Sequence, residues 1–165
     1  MISRLYNSPV GTLLIVVDGG ELKMVDWTQS SKHHLNLRRL STANPTSLAG
    51  DEDLMEEVIE QLDEYFAGKR KIFGFSLSPV STEFERKVWK AINAIGYGER
   101  ISYCELANVI GMPQAVRAVA SAVGRNPISI IVPCHRIVGA GNNLGGYAGG
   151  LDAKTRLLAL EEIYL

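Results

Sequence analysis

The chain has 165 residues, 46% hydrophobic and 21% charged, and its 17 Lys+Arg against 18 Asp+Glu leave a formal charge of -1. These values exclude a disordered or fibrous chain and give enough length for a real core. Two cysteines are too few for a disulfide framework or a four-thiolate zinc site. The longest aliphatic run, residues 13–17, falls far short of the roughly 20 residues that span a bilayer. No basic-then-apolar leader opens the chain, so a reducing cytoplasmic setting with a usable free thiol is expected.

The first half reads as strands, then a helix. Residues 11–18 are β-branched and apolar, Gly19-Gly20 is a turn dipeptide, and residues 21–27 alternate polar with apolar, which predicts a hairpin in an antiparallel sheet. Residues 28–50 are polar and aperiodic and read as a loop, with His33 and His34 as surface residues. Residues 51–67 carry apolar positions at helical spacing, acids in the first turn and Gly68-Lys-Arg-Lys71 at the far end. A short strand over 72–77 follows, and Ser78-Pro79 marks a domain boundary, giving domains 1–79 and 80–165.

The second half is helical. A helix opens at Ser81-Thr-Glu-Phe84, with Phe84, Val88, Trp89, Ile92 and Ile95 as one apolar stripe ended by Gly96. Residues 102–110 and 114–124 form two further helices joined by Gly111-Met112-Pro113, the helix-turn-helix pattern. The second of these helices is built from small side chains around one long cation, Arg117. Residues 106–151 hold three arginines and no acid, a local field suited to a polyanion. The fold class is therefore α+β: an N-terminal α/β domain with a small antiparallel sheet and a helix, then a mainly helical C-terminal domain with a helix-turn-helix.

The chemistry lies in residues 130–138. Pro133 stiffens a turn that presents Cys134, and His135 and Arg136 follow at once. A thiol beside imidazole and guanidinium is expected to ionise more readily than usual, and the thiolate is the nucleophile. One Cys and one His do not make a metal site, and none is expected. Cys104 reads as mid-helix, with an inert packing role. Six glycines within residues 139–150 expose backbone polar groups. They lack the Lys-Ser/Thr of a phosphate loop and read as a pocket wall with Tyr147 as its lid, before a last helix over 151–162.

The run Pro133-Cys134-His135-Arg136 resembles the signature of the O6-alkylguanine-DNA alkyltransferases. The likeness extends through Gly98-Glu-Arg-Ile-Ser-Tyr103, Arg117-Ala-Val119, Asn126-Pro127, Gly146-Tyr-Ala-Gly-Gly150 and Leu157-Leu-Ala-Leu-Glu161. It implies direct reversal of DNA alkylation, with Cys134 accepting the alkyl group of O6-alkylguanine (and O4-alkylthymine) once and irreversibly, and with no cofactor. His135 would activate the thiol through water, and Glu161 would hold the imidazole. Asn126 would brace the turn, and Tyr103 would donate to guanine N3. Pro133 and Tyr147 would shape the pocket, where the backbone of Ile137 and Ala148 reads the base edges. The implied partner is double-stranded DNA with its damaged base flipped out into the minor groove. Arg117 would fill the gap, and Ala118, Ala120 and Ser121 would let the helix approach. Arg125 would stand near a phosphate, although Gly124-Arg125 reverses the order of some relatives. Ala148 replaces the serine of others, and residues 1–30 have no cysteine for the zinc site that some relatives carry.

The resemblance further implies a monomer that can cluster on DNA without a membrane partner, nucleoid-associated if bacterial and nuclear if eukaryotic. Two other readings stand beside it. One is a lesion-binding or helix-turn-helix regulatory DNA-binding protein that does no repair. The other is a cysteine hydrolase, for which adjacent Cys and His would be atypical.

Overall fold

The computed structural model describes residues 1–46, 48–141 and 143–165; Ser47 of the expected loop and Asn142 of the glycine segment lie outside them. An antiparallel three-stranded sheet, β1 (Ile2–Ser8), β2 (Gly11–Asp18) and β3 (Glu21–Trp27), is followed by α1 (His33–Ser41) and α2 (Asp51–Phe66). Then come α3 (Glu83–Asn93), β4 (Ile101–Ser102), α4 (Tyr103–Val109), α5 (Val116–Gly124), β5 (Ile137–Val138) and α6 (Leu151–Ile163). This is the α+β class expected from the sequence.

The β2–β3 turn forms where Gly19 and Gly20 both take positive φ, 63° and 76°, a geometry that glycine enters without steric cost. The unbroken apolar run of β2 is explained by burial on both faces. Leu13, Ile15 and Val17 join the main core with α2 and the C-terminal helices, while Val16 and Met24 pack with Leu40 of α1 on the other side. The helix α1 corrects the loop expected over 28–50. With only Leu37 and Leu40 reaching the small second cluster, its apolar signal is weak in sequence. The strand expected over 72–77 is absent; a single bridge joins Leu22 to Leu77. Phe73 and Phe75 instead stack on each other, and Phe73 packs against Tyr65.

One contact sets up the active region. The outer edge of β3 pairs with residues 127–129, Val25 N donating to Pro127 O at 2.9 Å and Ser129 N donating to Val25 O at 2.7 Å. The sheet thus holds the segment that leads into Cys134. On the helical side, Thr82 and Glu85 form a capping box that starts α3, and Trp89 Nε1 donates to Ala122 O at 2.8 Å, fastening α3 to α5. Among the described residues no helix is long and apolar enough to cross a membrane.

Candidate active site

Cys134 opens a three-residue 3-10 turn ending at Arg136, preceded by Ile130 at φ 70°, a strained value for a β-branched residue. The turn is braced from inside. Asn126 Nδ2 donates to Val132 O at 3.0 Å and to Cys134 Sγ at 3.2 Å, while Asn126 Oδ1 accepts from Ile128 N at 3.0 Å. A single amide therefore sets the loop and touches the sulfur.

His135 and Arg136 turn away from the thiol and meet Glu161 of α6. His135 Nε2 lies 2.7 Å from Glu161 Oε1, and Arg136 Nε and Nη2 donate to the same carboxylate at 3.0 and 2.9 Å. Arg136 Nη1 is committed to Ile95 O at 2.6 Å. Tyr65 Oη from α2 adds a bond of 2.9 Å to Glu161, and Gly98 N one of 3.3 Å. Burial is the largest influence on the Glu161 carboxyl and acts upward. The hydrogen bonds and charges of His135 and Arg136 outweigh it and hold the group at about 2. Burial holds the His135 imidazole below its usual value, against the pull of Glu161 and with the help of the Arg136 and Lys154 charges. With Nε2 on an ionised carboxylate, the neutral ring carries its proton there. Nδ1, buried with no hydrogen-bond partner among the described residues, is left as a proton acceptor.

This geometry corrects the expectation of a readily ionised thiol. The neighbours of Cys134 in sequence are not neighbours of its sulfur, and burial pushes the thiol up to about 11 against the opposing hydrogen bond from Asn126 and the charge of Lys154. Two histidine and cysteine expectations change as well. His33 is not a free surface residue, since its Nδ1 lies 3.0 Å from the buried carboxylate of Asp26. Cys104 is exposed rather than packed, because it sits in the first turn of α4 and not in its interior.

The sulfur forms part of the floor of an open cavity of about 430 Å³ lined by Tyr103, Ala120, Val123, Tyr147 and Ala148, with Ser31 and Lys32 on the N-terminal side. Tyr103 opens α4 behind a Ser102–Glu105 capping box, and its phenol is held above its usual value by burial and by Cys134. Tyr147 and Ala148 stand in the wall, whereas Pro133 and Ile137 lie outside it. Pro133 borders a separate cavity of about 260 Å³ behind the loop. Ile137 is fully buried and its carbonyl accepts from Lys154 Nζ at 2.6 Å, which uses one of the oxygen's two lone pairs. Just beyond the wall, Gly149 packs so closely on Trp27 that a Cβ there would come within 2.5 Å of the indole.

Above the cavity, α5 turns Val119, Ala122 and Val123 inward and leaves Arg117, Ala118 and Ser121 exposed. No carboxylate pairs with Arg117 among the described residues. Arg125 is not free: Nε donates to the buried Glu85 at 2.7 Å and Nη1 to Ser121 Oγ at 2.6 Å. Glu85 also accepts both Nη groups of Arg39, at 3.0 and 3.1 Å. Tyr65, Lys154, Ser31 and Lys32 are absent from the site residues expected from the sequence. Nothing local marks them, because each reaches the site only through the tertiary fold. Among the described residues no cluster of three or more His, Cys, Asp or Glu is placed to hold a metal ion.

Comparison with known proteins converges on one group. Residues 1–79 match the ribonuclease-like domain of 6-O-methylguanine DNA methyltransferase, and residues 83–163 match the DNA binding domain of the same family. A methylated-DNA–protein-cysteine methyltransferase of Methanosarcina acetivorans is 44% identical over 161 residues, covering 98% of each chain. One from Mycolicibacterium paratuberculosis is 45% identical over 163 residues, covering 96% of this chain and 90% of the other. The crystal structure of Mycobacterium tuberculosis OGT in complex with DNA superposes with a TM-score of 0.83 at 39% identity, covering 98% of this chain and 93% of that one. A single thiol flooring an open cavity, backed by a buried imidazole and carboxylate, is thus carried on a scaffold shared along its whole length, and the chain belongs to the methylated-DNA–protein-cysteine methyltransferase family, the 6-O-methylguanine DNA methyltransferases.

Proposed function

We propose that this protein repairs O6-alkylguanine, and O4-alkylthymine, in double-stranded DNA by one irreversible transfer of the alkyl group to Cys134. The observation that carries the reading is the position of the sulfur, in the floor of a cavity that opens beneath α5 and is large enough for a purine base. Residues 80–165 perform the chemistry and the DNA contact, and residues 1–79 support them.

In the free protein the thiol is protonated at neutral pH, so ionisation is coupled to the reaction. The thiol proton passes through a water to His135 Nδ1, Glu161 stabilises the resulting imidazolium, and Asn126 holds the sulfur in place. The S–C bond forms as the C–O6 bond breaks, the bonding pair leaving on guanine. The proton taken from the thiol is returned to the purine, and Tyr103 donates to N3 as negative charge develops there. The product thioether is a poor leaving group, so each molecule acts once.

A base stacked in a duplex cannot reach a buried sulfur, so it is flipped, at a cost of a few kcal/mol. The exposed face of α5 is small apart from Arg117, which suits close approach to a minor groove and insertion of one cation into the vacated space. The protein acts as a monomer. Incubation with a duplex carrying O6-methylguanine is expected to add one methyl mass per protein on the Cys134 peptide and none to Cys134→Ala. Many turnovers per molecule, or label on another peptide, would overturn the assignment. Arg117→Ala is expected to slow repair of duplex lesions more than reaction with free O6-benzylguanine, and equal losses would remove its role in flipping.

A further inference from the structure

The most unusual buried group that the proposed mechanism does not use is an ammonium. Lys154 lies in the first turn of α6, seven residues before Glu161 and so on the same face of the helix, and it is 0% exposed. Its Nζ donates to Ile137 O at 2.6 Å, to Leu144 O, and to Gly146 O at 3.2 Å, which uses all three of its donors. No carboxylate pairs with it among the described residues. A buried cation without a counter-charge costs several kcal/mol even when hydrogen-bonded, and an apolar side chain of the same length would avoid that cost.

The identity of the three carbonyls shows what the cation does. Ile137 begins the strand that leaves the Cys134–Arg136 turn, and Leu144 and Gly146 belong to the glycine segment whose Gly146, Tyr147 and Ala148 wall the cavity. No helix or strand covers residues 143–149; backbone bonds from Gly139 N to Asn143 O at 2.8 Å and from Gly150 N to Tyr147 O at 3.1 Å close its two ends, and Lys154 holds the stretch between them. Opposite charges thus sit two turns apart on one helix face: Glu161 fixes the ring that takes the proton, and Lys154 fixes the wall that receives the base.

We infer that Lys154 is a positioning residue for alkyl transfer: it ties the wall of the base cavity to the strand behind the acceptor thiol and leaves an unpaired positive charge inside the site. This rests on reading Cys134 as the acceptor. Burial lowers the ammonium to about 8, and the Cys134 sulfur acts to raise it. In return Lys154 favours the ionised sulfur, together with the Asn126 hydrogen bond and against Asp26. Lys154 and Arg136 also disfavour protonation of His135, while Glu161 favours it.

The test compares Lys154→Arg, Lys154→Gln and Lys154→Met with the wild type. The readouts are benzyl transfer from free O6-benzylguanine by intact-protein mass, thiolate absorbance against pH, and circular dichroism with binding of undamaged duplex as controls for folding. Lys154→Gln keeps donors but loses charge, so its thiolate should appear at higher pH and its transfer should slow. Lys154→Met loses both and should transfer about 100-fold more slowly, the order expected when reacting groups are misplaced by an ångström. Lys154→Arg should recover part of both. If Lys154→Met does not fold, the Gln and Arg variants carry the test. A folded Lys154→Gln with wild-type transfer and an unmoved thiolate titration would overturn the inference, as would losses matched by the loss of folded protein. Wild-type label found away from Cys134 would overturn the acceptor assignment instead.

Discussion

Two buried glutamates, Glu161 and Glu85, are each 1% exposed and each gather arginine, yet they serve different ends. Around Glu161 the donors are themselves buried: Arg136 is 6% exposed and His135 0%. Around Glu85 the two arginines are each 27% exposed, and one of them follows α5 directly. A charge whose partners cannot reach water must keep them all, so the Glu161 cluster is rigid and its protonation states are determined. A charge whose partners stand at the surface can release them to solvent at modest cost. The first arrangement suits proton handling, and the second suits a fastening between α1, α3 and the end of α5.

The sharpest way to break this contrast is Glu161→Gln. It leaves the Arg136 guanidinium buried without a counter-charge, and the expected loss is about 3–5 kcal/mol of stability with alkyl transfer falling alongside, read by chemical denaturation and intact mass. Acid titration isolates the same carboxylate. Its folded value of about 2 lies below the ordinary value of about 4.3 in an unfolded chain. Its contribution is therefore complete above that ordinary value and lost as pH falls toward 2. About 3 kcal/mol should disappear over that interval, and the Gln variant should lack this part of the stability profile. Glu85→Ala is expected to cost about 2 kcal/mol, from a lost helix cap and charge-assisted bonds whose arginines can rehydrate. Free-base transfer should stay near wild type. A loss equal to that of Glu161→Gln would erase the distinction between the clusters. The smallest effect is expected for Tyr65→Phe, about 1 kcal/mol, since Glu161 keeps its other donors.

The sequence displays the hairpin, α2, the helix-turn-helix and the reactive turn, because each carries a local signature: Gly19-Gly20, a helical apolar period, the Gly111-Met112-Pro113 turn, or Pro133-Cys134-His135. It hides α1, whose apolar side chains are few and serve a minor cluster. It also misleads about the thiol. Adjacency of Cys134, His135 and Arg136 along the chain suggests a shared microenvironment, whereas the 3-10 turn sends the sulfur toward Asn126 and the imidazole and guanidinium toward α6. Tyr65 and Lys154 come from elements far away in the chain. Their roles depend on which helix faces meet, and periodicity says nothing of that.

The pairing of Val25 with residues 127–129 has a consequence for biosynthesis. The amino-terminal sheet leaves the ribosome with the N–H and C=O of Val25 unmatched, and its partner emerges roughly 100 residues later. At about 5–20 residues per second those groups wait on the order of 5–20 seconds, during which another nascent chain could pair there in its place. Synthesis rate, and not only equilibrium stability, should therefore govern how much soluble protein a cell obtains.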